Sequence, residues 1–359
     1  MPATITSHDT PHYNRQTGRF FNPRPSTAPR MSLWQSLSLL WRLGFQRKGR
    51  VPAKRLPTLS PNLTAFLAAD ERLTFIWFGH STLLLNLDDT RILIDPVFSA
   101  SVSPFSFMFR RFQPPVLARE ALPDIDLILL SHDHYDHLDE QTIRAFRDTT
   151  TRFIAPLKVG QRLQKWGIDA SRIQELDWYH SHTFHGIRFT ATPSHHFSGR
   201  SMSDRNTTLW ASWVIEGQRE RLFFSGDSGY GEHFREIGER FGPFDLAFME
   251  NGQYNERWPD SHMHPEQTIQ AVQDVKARQF MPIHWGMFAL AFHDWADPVQ
   301  HSSQLAQARH IPMLTPMLGE VVTLGTPTTT PMWWEKNIDA LPSSPIVEFT
   351  KIKGNDICP

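Results

Sequence analysis

The sequence predicts an α/β fold, in which two mixed sheets pack face to face and helices cover their outer faces. Short apolar runs separated by turns recur from Leu73 onwards, and helical patterns lie between several of them. Such a chain can bury its apolar faces as an αβ/βα sandwich. With 359 residues, 40% of them hydrophobic, it is long enough to form a large core. We therefore expect a globular protein of sandwich architecture.

The strands are assigned in chain order from apolar runs that end at turn residues. Asp88 and Asp89, for example, form a turn between the second and third strands. The largely apolar run at residues 125–130 is typical of a buried strand. The predicted strands are residues 74–78, 82–87, 91–94, 125–130, 152–155, 188–192, 209–215, 221–225, 246–249 and 279–283.

The helices are assigned from longer segments between these strands. One of them begins with Pro265, which a helix tolerates in its first turn. The predicted helices are residues 140–146, 158–166, 232–241, 265–277 and 298–309.

The domain organisation is predicted to be one domain over residues 59–330, with an N-terminal extension (1–58) and a C-terminal tail (331–359). The extension is rich in proline and shows little periodicity, except near residues 31–46. There, apolar residues recur at helical spacing and basic residues follow. This pattern is typical of an amphipathic helix at a membrane surface, or of one docked on its own domain.

The charge balance excludes one class of partner. Lys plus Arg (36) nearly cancels Asp plus Glu (37), so no overall field attracts nucleic acid, and we expect no nucleic-acid partner.

The single cysteine, Cys358, allows neither an internal disulfide nor a thiolate in a metal site. The apolar window near residues 31–45 is too short and too polar to span a bilayer. We expect a cytoplasmic protein that can also bind peripherally to the inner face of the membrane.

The most informative motif is the segment 131–139, which follows the predicted strand 125–130. It places His132, His134, Asp136 and His137 within six residues. Imidazole and carboxylate groups bind Zn²⁺ and related metals, and this spacing lets the first pair face one metal and the second pair another. The motif predicts a two-metal hydrolase.

Further ligands are expected where other predicted strands end. His195 and His196 follow one strand, Asp227 lies between glycines after another, and His284 ends a third. The residues themselves do not decide between His195 and His196. Asp227 alone would also suit a turn. Together with the motif at 131–139, however, these residues complete a metal site.

The order His-x-His-x-Asp-His, then His, Gly-Asp and His, resembles that of the metallo-β-lactamase superfamily. Within it, the chain is similar to N-acyl-phosphatidylethanolamine-hydrolysing phospholipase D and its bacterial relatives from about residue 75 to 320. The segments that carry this likeness, besides 131–139, are Gly79-His80-Ser81, Asp95-Pro96, Glu175-Leu-Asp-Trp178, Phe241-Gly-Pro-Phe-Asp245 and Ile283-His-Trp-Gly286. The resemblance implies the metallo-β-lactamase sandwich for the domain at 59–330.

The resemblance also implies two Zn²⁺ ions per chain and assigns their ligands. The first ion would take His132, His134 and His196, the second would take Asp136, His137 and His284, and Asp227 would bridge the two. His80 and Asp95 would orient the ligands, since metal-bound imidazoles usually need such partners.

The implied reaction is attack by a metal-bridging hydroxide on a phosphodiester of the N-acyl-phosphatidylethanolamine type. Asp136 would orient the nucleophile or accept its proton, and His262 would donate to the phosphoryl oxygen or the leaving alkoxide. Substrate contacts are expected from Tyr135, Tyr254, Glu250 and Gln253.

One departure concerns residues 250–254, where Glu-Asn-Gly-Gln-Tyr replaces an apolar Pro-Ile-Gly-Ala-Tyr of the phospholipase. These polar side chains would reshape the cleft wall. Alternatives are therefore a di-zinc hydrolase of another ester, a lactone or a small phosphodiester, and a metal-stabilised membrane-associated binding protein. β-Lactam hydrolysis is disfavoured, because similar β-lactamases usually carry Cys in the place of Asp227.

Overall fold

The computed structural model describes residues 10–27, 32–45, 48–68, 72–326 and 332–337. In this part of the chain, two mixed sheets pack against each other and helices cover both outer faces. The predicted fold class is therefore confirmed. A separate two-stranded hairpin lies near the N-terminus.

The bounds of the elements follow in chain order. The strands are β1 (Tyr13–Asn14), β2 (Arg19–Phe20), β3 (Thr74–Trp77), β4 (Leu83–Leu87), β5 (Thr90–Ile94), β6 (Leu127–Leu129), β7 (Arg152–Pro156), β8 (Ile173–Leu176), β9 (Ser181–Phe184), β10 (Ile187–Thr192), β11 (Ser212–Glu216), β12 (Arg221–Phe224), β13 (Leu246–Glu250), β14 (Phe280–Ile283) and β15 (Val321–Thr323). The helices are α1 (Leu33–Phe45), α2 (Leu63–Leu67), α3 (Glu140–Arg144), α4 (Gly160–Lys165), α5 (His233–Phe241), α6 (Pro265–Asp274) and α7 (Asp297–Ala308).

Both large sheets combine antiparallel and parallel pairs. The first has the order β15-β3-β4-β5-β6-β7-β8 and is parallel from β5 to β8. The second has the order β14-β13-β12-β11-β10-β9 and is parallel from β12 to β14. Parallel strands need helical crossovers, and these place the helices on the outer faces.

The alternation of side chains along the strands divides the core into three layers. In β6, Leu127 and Leu129 point between the sheets, whereas Ile128 packs towards the residues of α3 and α4. In β13, Phe248 points between the sheets and Met249 packs towards α5 and α6. Successive strand side chains point to opposite faces, so a strand covered on both sides is apolar along its whole length.

Each predicted strand and helix has a counterpart in the structure, with ends that differ by a few residues. One of the larger shifts concerns the strand predicted at 209–215, which begins at Ser212. The preceding residues cross to the first sheet, where Leu209 N donates to Leu157 O and Ala211 N donates to Ser131 O. The prediction missed several short elements, among them the edge strand β9, whose half-exposed polar residues give no apolar signal.

The N-terminal strap, residues 10–27, is attached to the domain. Phe20 is buried in the central core, and its backbone N–H donates to Asn206 O at 2.8 Å. The side chain of Asn22 donates to the carbonyl of His196 at 2.7 Å and accepts from Trp210 Nε1 at 3.2 Å. The strap therefore contacts the loop that carries a predicted metal ligand.

Helix α1 packs one apolar side against the rest of the protein and exposes a second apolar side to the outside. Leu39 and Leu43 are buried, whereas Trp34 is 81% exposed and Trp41 is 58% exposed. Within the described ranges, no helix is long and apolar enough to cross a membrane. The docked helix of the sequence analysis is thus present, with an outer face that its own domain leaves uncovered.

The predicted C-terminal tail contributes to the core where it is described. Trp333 and Trp334 are buried and lie 5.5 and 5.8 Å from the ring of Trp285. Trp285 follows His284 directly, so this part of the tail packs behind a predicted ligand. The rest of the tail lies outside the described residues.

Arg50 anchors α1 and generates a stability prediction. Its buried guanidinium donates to the carbonyls of Arg42 and Leu43 in α1, and to those of Ala289 and Ala291. Arg50→Met would leave these buried acceptors unpaired, so we expect the free energy of unfolding to fall by about 1–3 kcal/mol. Urea titration followed by circular dichroism measures this change. The exposed control Arg55→Met should change it by less than about 0.5 kcal/mol, and equal stability of all three proteins would contradict the anchoring role.

Candidate metal centre

The predicted ligands meet at one edge of the sandwich, because each of them follows the carboxyl end of a strand. The loop after β6 carries residues 132–137, and the loops after β10, β12 and β14 carry His196, Asp227 and His284. Side chains from both sheets therefore converge, although they are separated by up to about 150 positions in the sequence.

The first cluster consists of His132, His134, His196 and Asp227, whose ligand atoms all lie within 4.8 Å of one another. His134 Nδ1 is 2.9 Å from His132 Nε2 and 3.2 Å from His196 Nε2. An oxygen of Asp227 lies 3.8 Å from His132 Nε2 and 3.6 Å from His196 Nε2. Three nitrogens and one oxygen thus surround one point, which is the ligand number of a tetrahedral metal site.

The second cluster consists of His80, Asp136, His137 and His284. Asp136 Oδ2 lies 2.9 Å from His80 Nε2, 3.5 Å from His137 Nε2 and 3.4 Å from His284 Nε2. Asp227 also reaches this cluster, at 3.1 Å from His137 Nε2 and 3.2 Å from His284 Nε2. Its carboxylate is therefore shared by both clusters.

Hydrogen bonds behind the clusters orient the imidazoles. His137 Nδ1 donates to Asp95 at 2.7 Å, and His196 Nδ1 donates to the carbonyl of Ser261 at 3.0 Å. Asp95 also accepts from the backbone N–H and the hydroxyl of Ser131. Because a carboxylate and a carbonyl only accept, each of these bonds uses a proton on Nδ1, and Nε2 faces the cluster.

The electrostatics favour a bound cation. Burial opposes ionisation of Asp227, yet the neighbouring charges of His137 and His284 hold its pKa well below the usual value. Burial lowers the pKa of His132 and His196 well below the usual value, so these imidazoles are neutral. The neutral His132 and His196 and the ionised Asp227 thus have the protonation states that a metal requires.

The fit to a metal is also visible in unpaired atoms. Among the described residues, His137 Nε2 and Asp227 Oδ1 are buried and lie 3.1 Å apart, but neither makes a hydrogen bond. Such orphaned groups raise the free energy unless another species satisfies them. A set of imidazole and carboxylate donors suits Zn²⁺ and other borderline divalent metals.

Three residues around the clusters have a strained backbone. His80, Asp95 and His284 adopt left-handed conformations, with φ of 53°, 40° and 67°. His284 N donates to His80 O at 3.0 Å, and His80 N donates to Trp285 O at 2.9 Å, which holds the two loops together. Residues other than glycine rarely adopt the left-handed region, and such strain is common at functional sites.

The structure separates His196 from its neighbour His195. His195 Nδ1 bonds to the carbonyl of Asp260 and its Nε2 to the carbonyl of Arg24, so both nitrogens face away from the clusters. His262, expected near the substrate, lies with Asp227 and His284 in a third group of ligand atoms. Its ring stacks on that of His284 at 5.0 Å.

The residues expected to contact substrate occupy different places. Tyr135 is half-buried beside Arg200 and lines a cavity of about 450 Å³. Tyr254 donates to Asp297 at 2.6 Å and stacks between two histidine rings. Substrate contact by either tyrosine stays a prediction.

Glu250 and Gln253 face inwards, in contrast to the expected cleft wall. Gln253 is 4% exposed; its amide donates to the carbonyls of His284 and Phe288 and accepts from Leu290 N. Glu250 is fully buried and contacts His262. Both would therefore affect a substrate through the residues that they hold.

Two features of the site were missed in the sequence analysis. Asn22 supports the His196 loop from the N-terminal strap, and no local pattern signals such a contact. The pairing of Glu250 with His262 was also missed, although a carboxylate at the end of the apolar strand Leu-Ala-Phe-Met-Glu was a signal for a buried polar partner.

The two-sheet fold and the paired His/Asp clusters define a metal-dependent hydrolase. Residues 90–285 match the family model described as the beta-lactamase superfamily domain. The chain belongs to the metallo-β-lactamase superfamily.

Several known proteins are similar to this chain. An uncharacterized protein of Mycobacterium tuberculosis is 39% identical over 333 residues, which are 91% of this chain and 88% of that protein. N-acyl-phosphatidylethanolamine-hydrolyzing phospholipase D 1 of Caenorhabditis elegans is 33% identical over 247 residues, 65% of this chain and 69% of that protein. The structure of Igni18, a metallo hydrolase from Ignicoccus hospitalis, shares the fold, with a TM-score of 0.56, 20% identity and coverage of 71% of this chain and 99% of that chain.

The Asp95 hydrogen bonds generate a prediction on metal affinity. Asp95→Asn would turn an amide N–H₂ towards His137 Nδ1 or Ser131, so one of these donors loses its acceptor. We expect the affinity for added Zn²⁺, measured by competition with a chromophoric chelator, to fall about 10- to 100-fold. Asp126→Asn is the matched control, because Asp126 is paired with Arg91 at the other end of β6. Equal affinities of both variants would show that Asp95 does not support the metal ligands.

Proposed function

We propose that this chain is a two-zinc phosphodiesterase of the phospholipase D type, acting on phospholipids such as N-acyl-phosphatidylethanolamine. In this proposal, His132, His134 and His196 bind one ion, Asp136, His137 and His284 bind the other, and Asp227 bridges them. The observation that carries the proposal is the carboxylate of Asp227, which lies within 3.8 Å of imidazole nitrogens from both clusters.

The bound ions would supply a water of lowered pKa and positive charge beside the phosphate. The bridging carboxylate favours phosphodiester over β-lactam chemistry, since the sequence has no cysteine in this position. The similarity to a phospholipase D that hydrolyses N-acyl-phosphatidylethanolamine supports the same substrate class here.

Asp136 and His262 are proposed to handle protons. The side chain of Asp136 is 13% exposed, and its Oδ2 lies 2.9 Å from His80 Nε2. It can orient the attacking water or accept its proton. Burial lowers the pKa of His262 to about 3, and its neutral ring can donate a hydrogen bond to the phosphoryl oxygen or the leaving alkoxide.

An apolar surface beside the cavity that contains Tyr135 supports access to lipid. We call it the aromatic surface and define it as Trp34, Leu37, Trp41, Phe45, Phe105 and Phe107, each between 48% and 81% exposed. The ring of Phe45 stacks on that of Phe107, which joins α1 to the loop at 98–112. Pro104 and Ser106 of this loop line the cavity that also contains Tyr135.

The charge around the aromatic surface suits an anionic bilayer. Lys48, Lys54 and Arg55 follow α1 in the sequence and are exposed. An amphipathic helix with exposed tryptophans and basic neighbours can lie in the plane of a membrane interface. We infer that the protein binds the membrane through this surface and takes its lipid substrate there.

The hydrolytic activity has a direct test. The purified protein, with its metals quantified, should cleave bis-p-nitrophenyl phosphate but neither nitrocefin nor a lactone. Asp227→Ala should lower kcat by about 100- to 1000-fold, because it removes a group on which the charge balance of the site depends. Asp245→Asn is the control, since Asp245 lies at the opposite end of β13, where it is bound to Arg221 and Arg278.

Less than one zinc per chain, or unchanged activity of Asp227→Ala, would contradict the two-zinc hydrolase. Phospholipid specificity fails separately if the enzyme cleaves the small diester but leaves vesicles of N-acyl-phosphatidylethanolamine intact. Cleavage of the lactone in preference to the diester would favour the ester and lactone alternative.

The membrane contact is tested by vesicle sedimentation. The double variant Trp34→Glu/Trp41→Glu should bind vesicles with anionic lipids at least about 10-fold more weakly, since withdrawing such a side chain from water contributes about 1.5–3 kcal/mol. Leu59→Glu/Leu67→Glu places the same two charges at exposed apolar positions outside this surface and is the control. If the double variant and the control bind equally well, the aromatic surface is not the membrane contact. Hydrolysis of bis-p-nitrophenyl phosphate should be unchanged in all three proteins.

A further inference from the structure

Glu250 is a buried carboxyl group that belongs to neither metal cluster. It ends β13, its side chain is fully buried, and it lies behind the clusters. Burying a carboxyl group raises the free energy of the folded state unless hydrogen bonds satisfy both oxygens. Its contacts therefore indicate what the group does.

The contacts of Glu250 lead to His262. Oε1 lies 2.6 Å from His262 Nδ1, which is short for a hydrogen bond between nitrogen and oxygen. Oε2 accepts from the backbone N–H of Met263 at 3.2 Å. The backbone N–H of Glu250 donates to Ser225 Oγ at 2.8 Å. The side chain is thus fixed on both sides, and it binds the segment that carries His262.

The orientation of His262 follows from this hydrogen bond and from ring stacking. The rings of His262 and His284 are 18° from parallel and 5.0 Å apart. Glu250 Oε1 is also 3.7 Å from His284 Nδ1, while Nε2 of His284 is 3.2 Å from Asp227. With Nδ1 of both rings near the same oxygen, the opposite nitrogens turn towards Asp227.

We propose that Glu250 is the positioning residue of His262: it occupies Nδ1 and so presents Nε2 to the substrate. The inference rests on the role of His262 in the proposed function. For Nε2 to carry the proton that it donates to the substrate, Nδ1 must accept the hydrogen bond from the carboxyl group of Glu250. The neighbouring polar side chains do not share it, because Asn251 bonds to Ser302 and Gln253 to the loop after β14.

The first test compares two substitutions of nearly the same size. Glu250→Met removes the hydrogen bond and should lower kcat on bis-p-nitrophenyl phosphate by about 10- to 100-fold, the usual effect of losing such an outer partner. KM and zinc content should change by less than about 3-fold, because no ligand is lost. Glu250→Gln should recover most of the activity, since its amide can donate to Nδ1 and accept from Met263 N–H.

Asn251→Ala is the matched control, because Asn251 is adjacent and equally buried but bonds to Ser302. It should stay within about 2-fold of the wild-type kcat, since it leaves the Glu250–His262 bond intact. Equal losses in Glu250→Met and Glu250→Gln would overturn the proposal, since they would indicate a role in shape or charge alone.

The second test is a double-mutant cycle. In a His262→Ala background, Glu250→Met should lower kcat by less than about 2-fold further, because the group through which it acts is gone. The same loss in both backgrounds would mean that Glu250 does not act through His262.

A third measurement needs neither activity nor a substitution at Glu250. In ¹⁵N-labelled wild-type protein, the His262 ring, assigned by comparison with His262→Gln, should carry its proton on Nε2 and accept a hydrogen bond at Nδ1. A ring that carries its proton on Nδ1 alone overturns the proposal, even if Glu250→Met does not fold. If wild-type protein cleaves none of the substrates, the proposed function fails, while this spectrum still decides the pairing.

Discussion

The carboxylate of Asp227 is the constraint on which the rest of the site depends. It is buried among imidazoles that come from both sheets. Burying an ionised carboxylate would destabilise the folded state unless positive charge surrounded it. The loops that follow β6, β10, β12 and β14 must therefore bring their side chains to the same point. The sandwich makes this convergence possible, because its two sheets bring the carboxyl ends of their strands to one edge.

The strain and the hydrogen bonds around the clusters follow from the same requirement. A residue at a strand end must turn sharply to face the common point or the ligands around it, and His80, Asp95 and His284 do so with left-handed backbones. Hydrogen bonds such as His284 N to His80 O hold these conformations. Part of the conformational cost thus falls at the site itself, whereas the strands behind it contribute apolar packing.

Prediction from sequence succeeded where the signal is local. The motif at 131–139 and the apolar periodicity of the strands depend on neighbouring residues, so the fold class and the segments that meet at the cluster could be predicted. The partners of Asn22 and Glu250 could not, because their contacts join segments that only the tertiary fold brings together. The inward orientation of Gln253 could not be predicted for the same reason. Its residue type suggests a polar cleft wall, but the loop after β14 supplies three backbone partners.

The N-terminal strap has a consequence for the order of events during synthesis. Residues 10–27 leave the ribosome before their partners at His196, Trp210 and Asp260 exist. The strap must therefore remain undocked through most of translation, exposing Phe20 and the aromatic residues near it. The earliest described part of the chain is thus among the last to reach its final position. Its contacts with the His196 loop and with Asp260 can form together only after synthesis has reached about residue 260.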